Sequence, residues 1–184
     1  AVFHNRYFFD FPIPGRLSEK VLSSPPGNRT QYPQFESYFK EYEVLGIYEN
    51  INYNGGIGMR GRKLTFSGDR DQPARFIFKK GGDYFAVIRS LLFELEDDEI
   101  VSSPASFSIY FQEDSIYHPG LQMRYEHDKK LLSLIRLNRG IAQSPFFDAY
   151  HKVDMYCEAL YWVMDSEEIS FENIRGLSQE SRTE

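Results

Sequence analysis

From Val44 to Leu137 the chain is a succession of short runs in which Phe, Tyr, Ile and Val alternate with polar residues, each run closed by a turn bearing Gly, Asn or Asp. Alternation at period two puts successive side chains on opposite faces of a strand, and the runs are too short, and too rich in aromatic and β-branched residues, for helices. The expected strands are Leu45 to Ile51, Met59 to Phe66, Arg75 to Lys79, Tyr84 to Ile88 continuing through Leu91 to Glu96, Phe107 to Phe111, Leu121 to His127 and Leu131 to Leu137. Gly81-Gly82 and Asp128-Lys129 are read as hairpin turns, and Asn54-Gly55-Gly56 as the turn that ends the first strand. No helix-length segment separates these runs, so an antiparallel meander is expected rather than a parallel α/β sheet. An aromatic content of 16% fits it, because rings pair well across strands.

Helical spacing is found at the two ends. Pro33 stands at a first-turn position, and Phe35, Tyr38, Phe39 and Tyr42 recur at helical intervals, which predicts a short helix from about Pro33 to Glu43. Ser144-Pro145 reads as a second helix start, with Ala149, Val153, Tyr156, Leu160 and Val163 on one face; a strand over residues 155–163 is the competing expectation. The fold class expected is therefore α+β and mainly antiparallel β: a strongly curved meander sheet or small β-barrel with a short N-terminal helix and a C-terminal helix. Residues 1–175 are read as a single domain and residues 176–184 as a polar, disordered tail.

Composition excludes several classes. A formal net charge of -6 argues against a duplex-DNA binder, which needs a broad basic face. One cysteine, Cys157, leaves no disulfide framework or Cys-rich zinc site, and fits a reducing, intracellular compartment better than secretion. No run approaches the length of a membrane span, so a soluble chain is expected. Asn28-Arg29-Thr30 is a glycosylation sequon, a triplet common by chance. His4, His118, His127 and His151 lack metal-ligand spacing, no metal site is assigned, and no motif names a cofactor.

Against this acidic background, Asn54 to Lys63 gathers four glycines and three cations. Gly56 to Gly61 spells Gly-x-Gly-x-x-Gly, yet it opens a strand rather than the helix that a dinucleotide site requires, and turn geometry explains the glycines. If Met59 to Phe66 is one strand, then Arg60, Arg62, Leu64 and Phe66 share a face, and both arginines point inward with the apolar pair. An arginine fork suits a carboxylate or phosphate. The expected function is then a non-enzymatic binding or carrier protein, with Arg60 and Arg62 anchoring the acidic group of a ligand whose apolar body lies among Tyr48, Phe78, Tyr110 and Tyr125.

Two alternatives rest on other residues. Glu41 with Glu43, Arg60 with Arg62, and Glu94 with Glu96 form i, i+2 pairs, a pattern similar to that of triphosphate tunnel enzymes. That resemblance implies a metal-dependent phosphohydrolase, although the lysine that completes the first acidic motif is absent and a helix at residues 33–43 would splay Glu41 from Glu43. A protein- or single-stranded-RNA-binding module is the other alternative, using aromatic rings for stacking with Arg60, Arg62 and Lys63 on the backbone, or the acidic run Glu94 to Glu99 against a basic partner protein.

Overall fold

Consecutive rows of the sheet lie side by side, each row being one strand or two strands laid end to end. The computed structural model describes residues 1–20, 31–111, 114–137, 140–164 and 166–173. The Ser23 to Asn28 loop, the Asn28 sequon and the tail from Gly176 lie outside them. Sixteen strands form one antiparallel sheet. The edge begins with β1 (Val2–Phe3) on β2 (Ile13–Ser18), followed by β3 (Gln34–Ser37) and β4 (Tyr42–Tyr48), which share one side of β5 (Ile51–Arg60). On the other side of β5 lie β6 (Lys63–Ser67) and β7 (Ala74–Lys80). Next come β8 (Asp83–Ser90) and β9 (Leu92–Glu96), then β10 (Glu99–Phe111) and β11 (Asp114–Glu126). The remaining rows are β12 (Leu131–Ile135) with β13 (Phe146–Asp148), β14 (Val153–Met155) with β15 (Ala159–Val163), and β16 (Ile169–Glu172).

Several rows are single long strands interrupted by an excursion. Residues 38–41 leave the sheet between β3 and β4, and residues 68–73 leave it between β6 and β7, while β5 runs straight past both. The connection from β12 to β13 carries the 3-10 turn Gly140–Gln143.

One face of the sheet is apolar because alternate residues of every row are. Tyr53, Ile57, Phe66, Phe76, Ile88, Phe93, Ile100 and Phe107 are buried there, with Tyr125, Leu132, Leu134 and Trp162. The rings interlock: Tyr53, Phe66 and Phe76 lie with centroids 4.7 to 5.3 Å apart, and Phe93 meets Phe76 edge-on at 4.9 Å. The sheet is strongly curved. Phe78 on β7 and Trp162 on β15 stand five rows apart, about 24 Å in a flat sheet, yet their centroids are 6.3 Å apart. Two polar contacts close the same approach, Lys130 to Glu49 at 3.1 Å and the Lys80 ammonium to the Ser166 carbonyl at 3.3 Å.

The antiparallel meander is as the alternation predicts, and the helices are not: no α-helix occurs among the described residues, and none is long and apolar enough to cross a membrane. Over Pro33 to Glu43 the helical spacing is an accident of two short strands and an excursion. Phe35 is buried by β3, whereas Tyr38 and Phe39 are 65% and 64% exposed on the loop. The stripe from Ala149 to Val163 also dissolves, since Val153, Tyr156 and Val163 are exposed and Leu160 is buried on a strand. The competing expectation of a strand within residues 155–163 is the correct one, over Ala159–Val163. Asn54-Gly55-Gly56 is not a turn but the middle of β5. Among the described residues, tight turns fall at Glu49-Asn50, Gly61-Arg62, Gly81-Gly82, Asp97-Asp98 and, as expected, Asp128-Lys129; Asp97 and Asp98 are both at positive φ, 49° and 62°, as a tight hairpin loop requires.

Candidate functional site

Gly56 and Gly58 lie on the outer face of β5, where side chains from other segments cross close to the backbone. A Cβ at Gly56 would strike the Lys40 side chain, and one at Gly58 would lie 2.7 Å from the Phe35 carbonyl oxygen and the Thr65 hydroxyl. Gly56 thus makes room for Lys40 of the 38–41 excursion, and Gly58 for the close approach of β3 and Thr65. Ser37 fixes that loop, its hydroxyl donating to the Phe39 carbonyl at 2.6 Å and accepting from the Ile57 amide at 3.0 Å. Lys40 is thereby laid over β5, donating to Glu36 at 2.6 Å and to the Ser67 hydroxyl at 2.9 Å.

Beside Lys40 opens a cleft of about 500 Å³ on the outer face, with Asn54, Gln72, Arg75 and Arg89 among its lining residues. Its floor is a cross-strand row: Asn54 opposes Arg75, and Arg75 opposes Arg89. The far wall is the 68–73 excursion, shaped by Asp69, whose carboxylate accepts from the amides of Asp71 and Gln72 at 3.1 and 2.8 Å. The Arg89 guanidinium reaches the Ser108 hydroxyl at 3.5 Å. Among the described residues neither arginine forms an ion pair, although Glu41 and Asp71 also line the cleft. Two like charges placed directly opposite on paired strands repel, and Glu41 and Asp71 bring two carboxylates to the same cleft.

The residues singled out from the sequence are distributed differently from the expectation. Gly61 and Arg62 form a hairpin turn, and the turn resets the alternation: Arg60 faces Lys63 across it on the outer side, while Leu64 and Phe66 face inward. Arg60 is exposed and lines a smaller depression of about 180 Å³ with Arg16, Gln34 and Ser67. Arg62 lines a separate hollow of about 630 Å³ that also holds Glu96, Asp97 and Asp98. Tyr48, Phe78 and Tyr125 do come together, with Tyr125 centred 6.0 Å from Tyr48 and 5.5 Å from Phe78, and all three are buried in the core. Tyr48 also stacks on His127 at 4.0 Å, and burial pushes its phenol well above the usual range. Tyr110 is 39% exposed, away from that cluster.

The acidic pairs are engaged elsewhere. Glu94 and Glu96 share Lys63, at 3.2 and 2.9 Å, and these contacts raise the lysine pKa. Glu41 ends the 38–41 excursion and Glu43 lies on β4, neither of them on a helix. Asp114, Asp148 and His151 do gather within 4.8 Å of one another, a set that sequence spacing did not reveal. Asp114 accepts from the Tyr150 amide at 3.0 Å, and Asp148 accepts from the His151 amide at 2.9 Å and contacts its ring at 3.0 Å. These bonds hold the Asp148 carboxyl below its usual pKa and fasten the 149–152 turn. Burial raises the Cys157 thiol, which does not favour a nucleophile.

What the fold and cleft define is a curved antiparallel sheet protein with a basic notch on its outer face. No protein-family model, curated protein or solved structure matches the chain.

Proposed function

We propose that the chain is a non-enzymatic binding protein whose outer-face cleft takes the acidic group of its ligand, a phosphate or carboxylate, between Arg75 and Arg89. The observation that carries this reading is the register of Arg75 directly opposite Arg89, with no ion pair for either among the described residues. Lys40 stands at the rim, and Asn54 and Gln72 add amide groups that orient an anion without competing for its charge. The interior aromatic cluster serves as core, and the carrier expected from the sequence moves to the outer surface.

The test is a titration with pyrophosphate and with citrate, followed by calorimetry and by the guanidinium resonances of Arg75 and Arg89. Binding should perturb both arginines and disappear in Arg75→Ala with Arg89→Ala. Saturable binding that persists in the double variant, or none with either probe, refutes the assignment.

A further inference from the structure

The Arg75–Arg89 cleft is not the only cationic ground on the outer face. Arg16 and Arg60 line the 180 Å³ depression toward the other end of β5, and Ser67, which lines it too, is the residue that Lys40 grips. Lys40 itself lines the Arg75–Arg89 cleft. The Lys40–Ser67 contact therefore lies between the two depressions. Along β5 the track runs from Arg60 to Asn54, six residue steps, or about 20 Å at strand rise.

Two further features describe the occupant. The loop that presents Lys40 also carries Tyr38 and Phe39, 65% and 64% exposed, beside the track rather than in its lining. Among the described residues Arg16, Arg60, Arg75 and Arg89 form no ion pair, in a chain of net charge -6. Carboxylates punctuate the band: Glu36 stands opposite Arg16 and pairs with Lys40, Glu41 and Asp71 line the cleft, and the Glu94–Lys63–Glu96 group lies beside it, so a duplex with its two phosphate rows would be met unfavourably. A basic surface with exposed rings on an adjoining loop is a combination by which proteins hold single strands.

We propose that this face binds single-stranded nucleic acid, with phosphates on Arg16, Arg60, Arg75 and Arg89 and bases stacked on Tyr38 and Phe39. The inference rests on the anion cleft and extends it into a track. A span of about 20 Å corresponds to the smallest single-strand sites, about four nucleotides.

The experiment is fluorescence anisotropy of a labelled oligouridylate of about 12 nucleotides, across about 50 to 200 mM salt, with a heparin oligosaccharide and pyrophosphate as ring-free anions. The slope of log affinity against log salt should be near -3 for four phosphate contacts and less steep by about 1.4 in Arg16→Ala with Arg60→Ala. Tyr38→Ala with Phe39→Ala should weaken the oligonucleotide at least about fivefold and leave pyrophosphate binding unchanged. Pyrophosphate bound at Arg75 and Arg89 without oligonucleotide binding would overturn the track and leave the cleft standing. Oligonucleotide affinity that ignores the aromatic variants, or that heparin matches, would overturn it as well. Failure of every probe would remove both readings.

Discussion

His118 is fully buried in β11, and each of its ring nitrogens has a partner that suits only the neutral form. Nδ1 accepts from the Gly120 amide at 3.0 Å, and Nε2 lies 2.8 Å from the Ser144 carbonyl, to which it must donate. A second proton would sit on Nδ1, facing an N–H. Burial lowers the pKa, the Ser144 carbonyl opposes this, and the Arg136 charge lowers it further. The folded-state pKa is thus below the unfolded value near 6.5. Above that value both states are neutral and the linkage is silent; as pH falls through it, the unfolded chain takes up a proton that the native protein refuses. Stability should fall with a slope approaching about 1.4 kcal/mol per pH unit until the native pKa is reached. Urea denaturation of the wild type and of His118→Gln from pH 7.5 to 5 reads this directly. The glutamine variant is less stable throughout but should lack that slope. Asp148, whose carboxyl is depressed by His151, confers stability that is lost only as pH falls below its unfolded value, outside the window. Equal slopes in the two proteins would exclude His118 as their source.

Two further outcomes are expected. Phe76→Ala removes a fully buried ring that touches Tyr53, Phe66 and Phe93, and should cost about 3 to 5 kcal/mol by denaturant titration. Arg75→Ala relieves the opposition to Arg89 and should stabilise the anion-free protein by about 0.2 to 1 kcal/mol, a gain that saturating pyrophosphate erases; destabilisation in anion-free buffer would count against the cleft.

The meander is legible in the sequence because its rows alternate cleanly and its turns carry Gly, Asn or Asp, as at Gly81-Gly82. The helices expected at the ends failed where few residues decide the period: Phe35 and Tyr42 belong to different strands, and the rings between them lie in an excursion. Arg60 and Arg62 failed on a single turn, for Gly61-Arg62 reverses the chain and sends the arginines to different sites. Arg75 opposite Arg89 was beyond pattern reading for a subtler reason. The Gly81-Gly82 hairpin starts with Lys80 facing Asp83, and continuing that register would set Arg75 against Ile88. An irregularity between Phe78 and Lys79 advances the pairing by one residue, and only then do the arginines meet. Nothing in the local sequence announces the slip.

The excursions at 38–41 and 68–73 form the walls of the cleft, yet the strands on either side keep their pairing without them. Substitution or lengthening of these loops can therefore reshape the walls of the cleft while the sheet stays in register. The cleft thus joins positions of two kinds: Arg75 and Arg89, whose opposition is set by the register of β7 and β8, and loop residues outside the strand pairing, which are free to vary without disturbing that register.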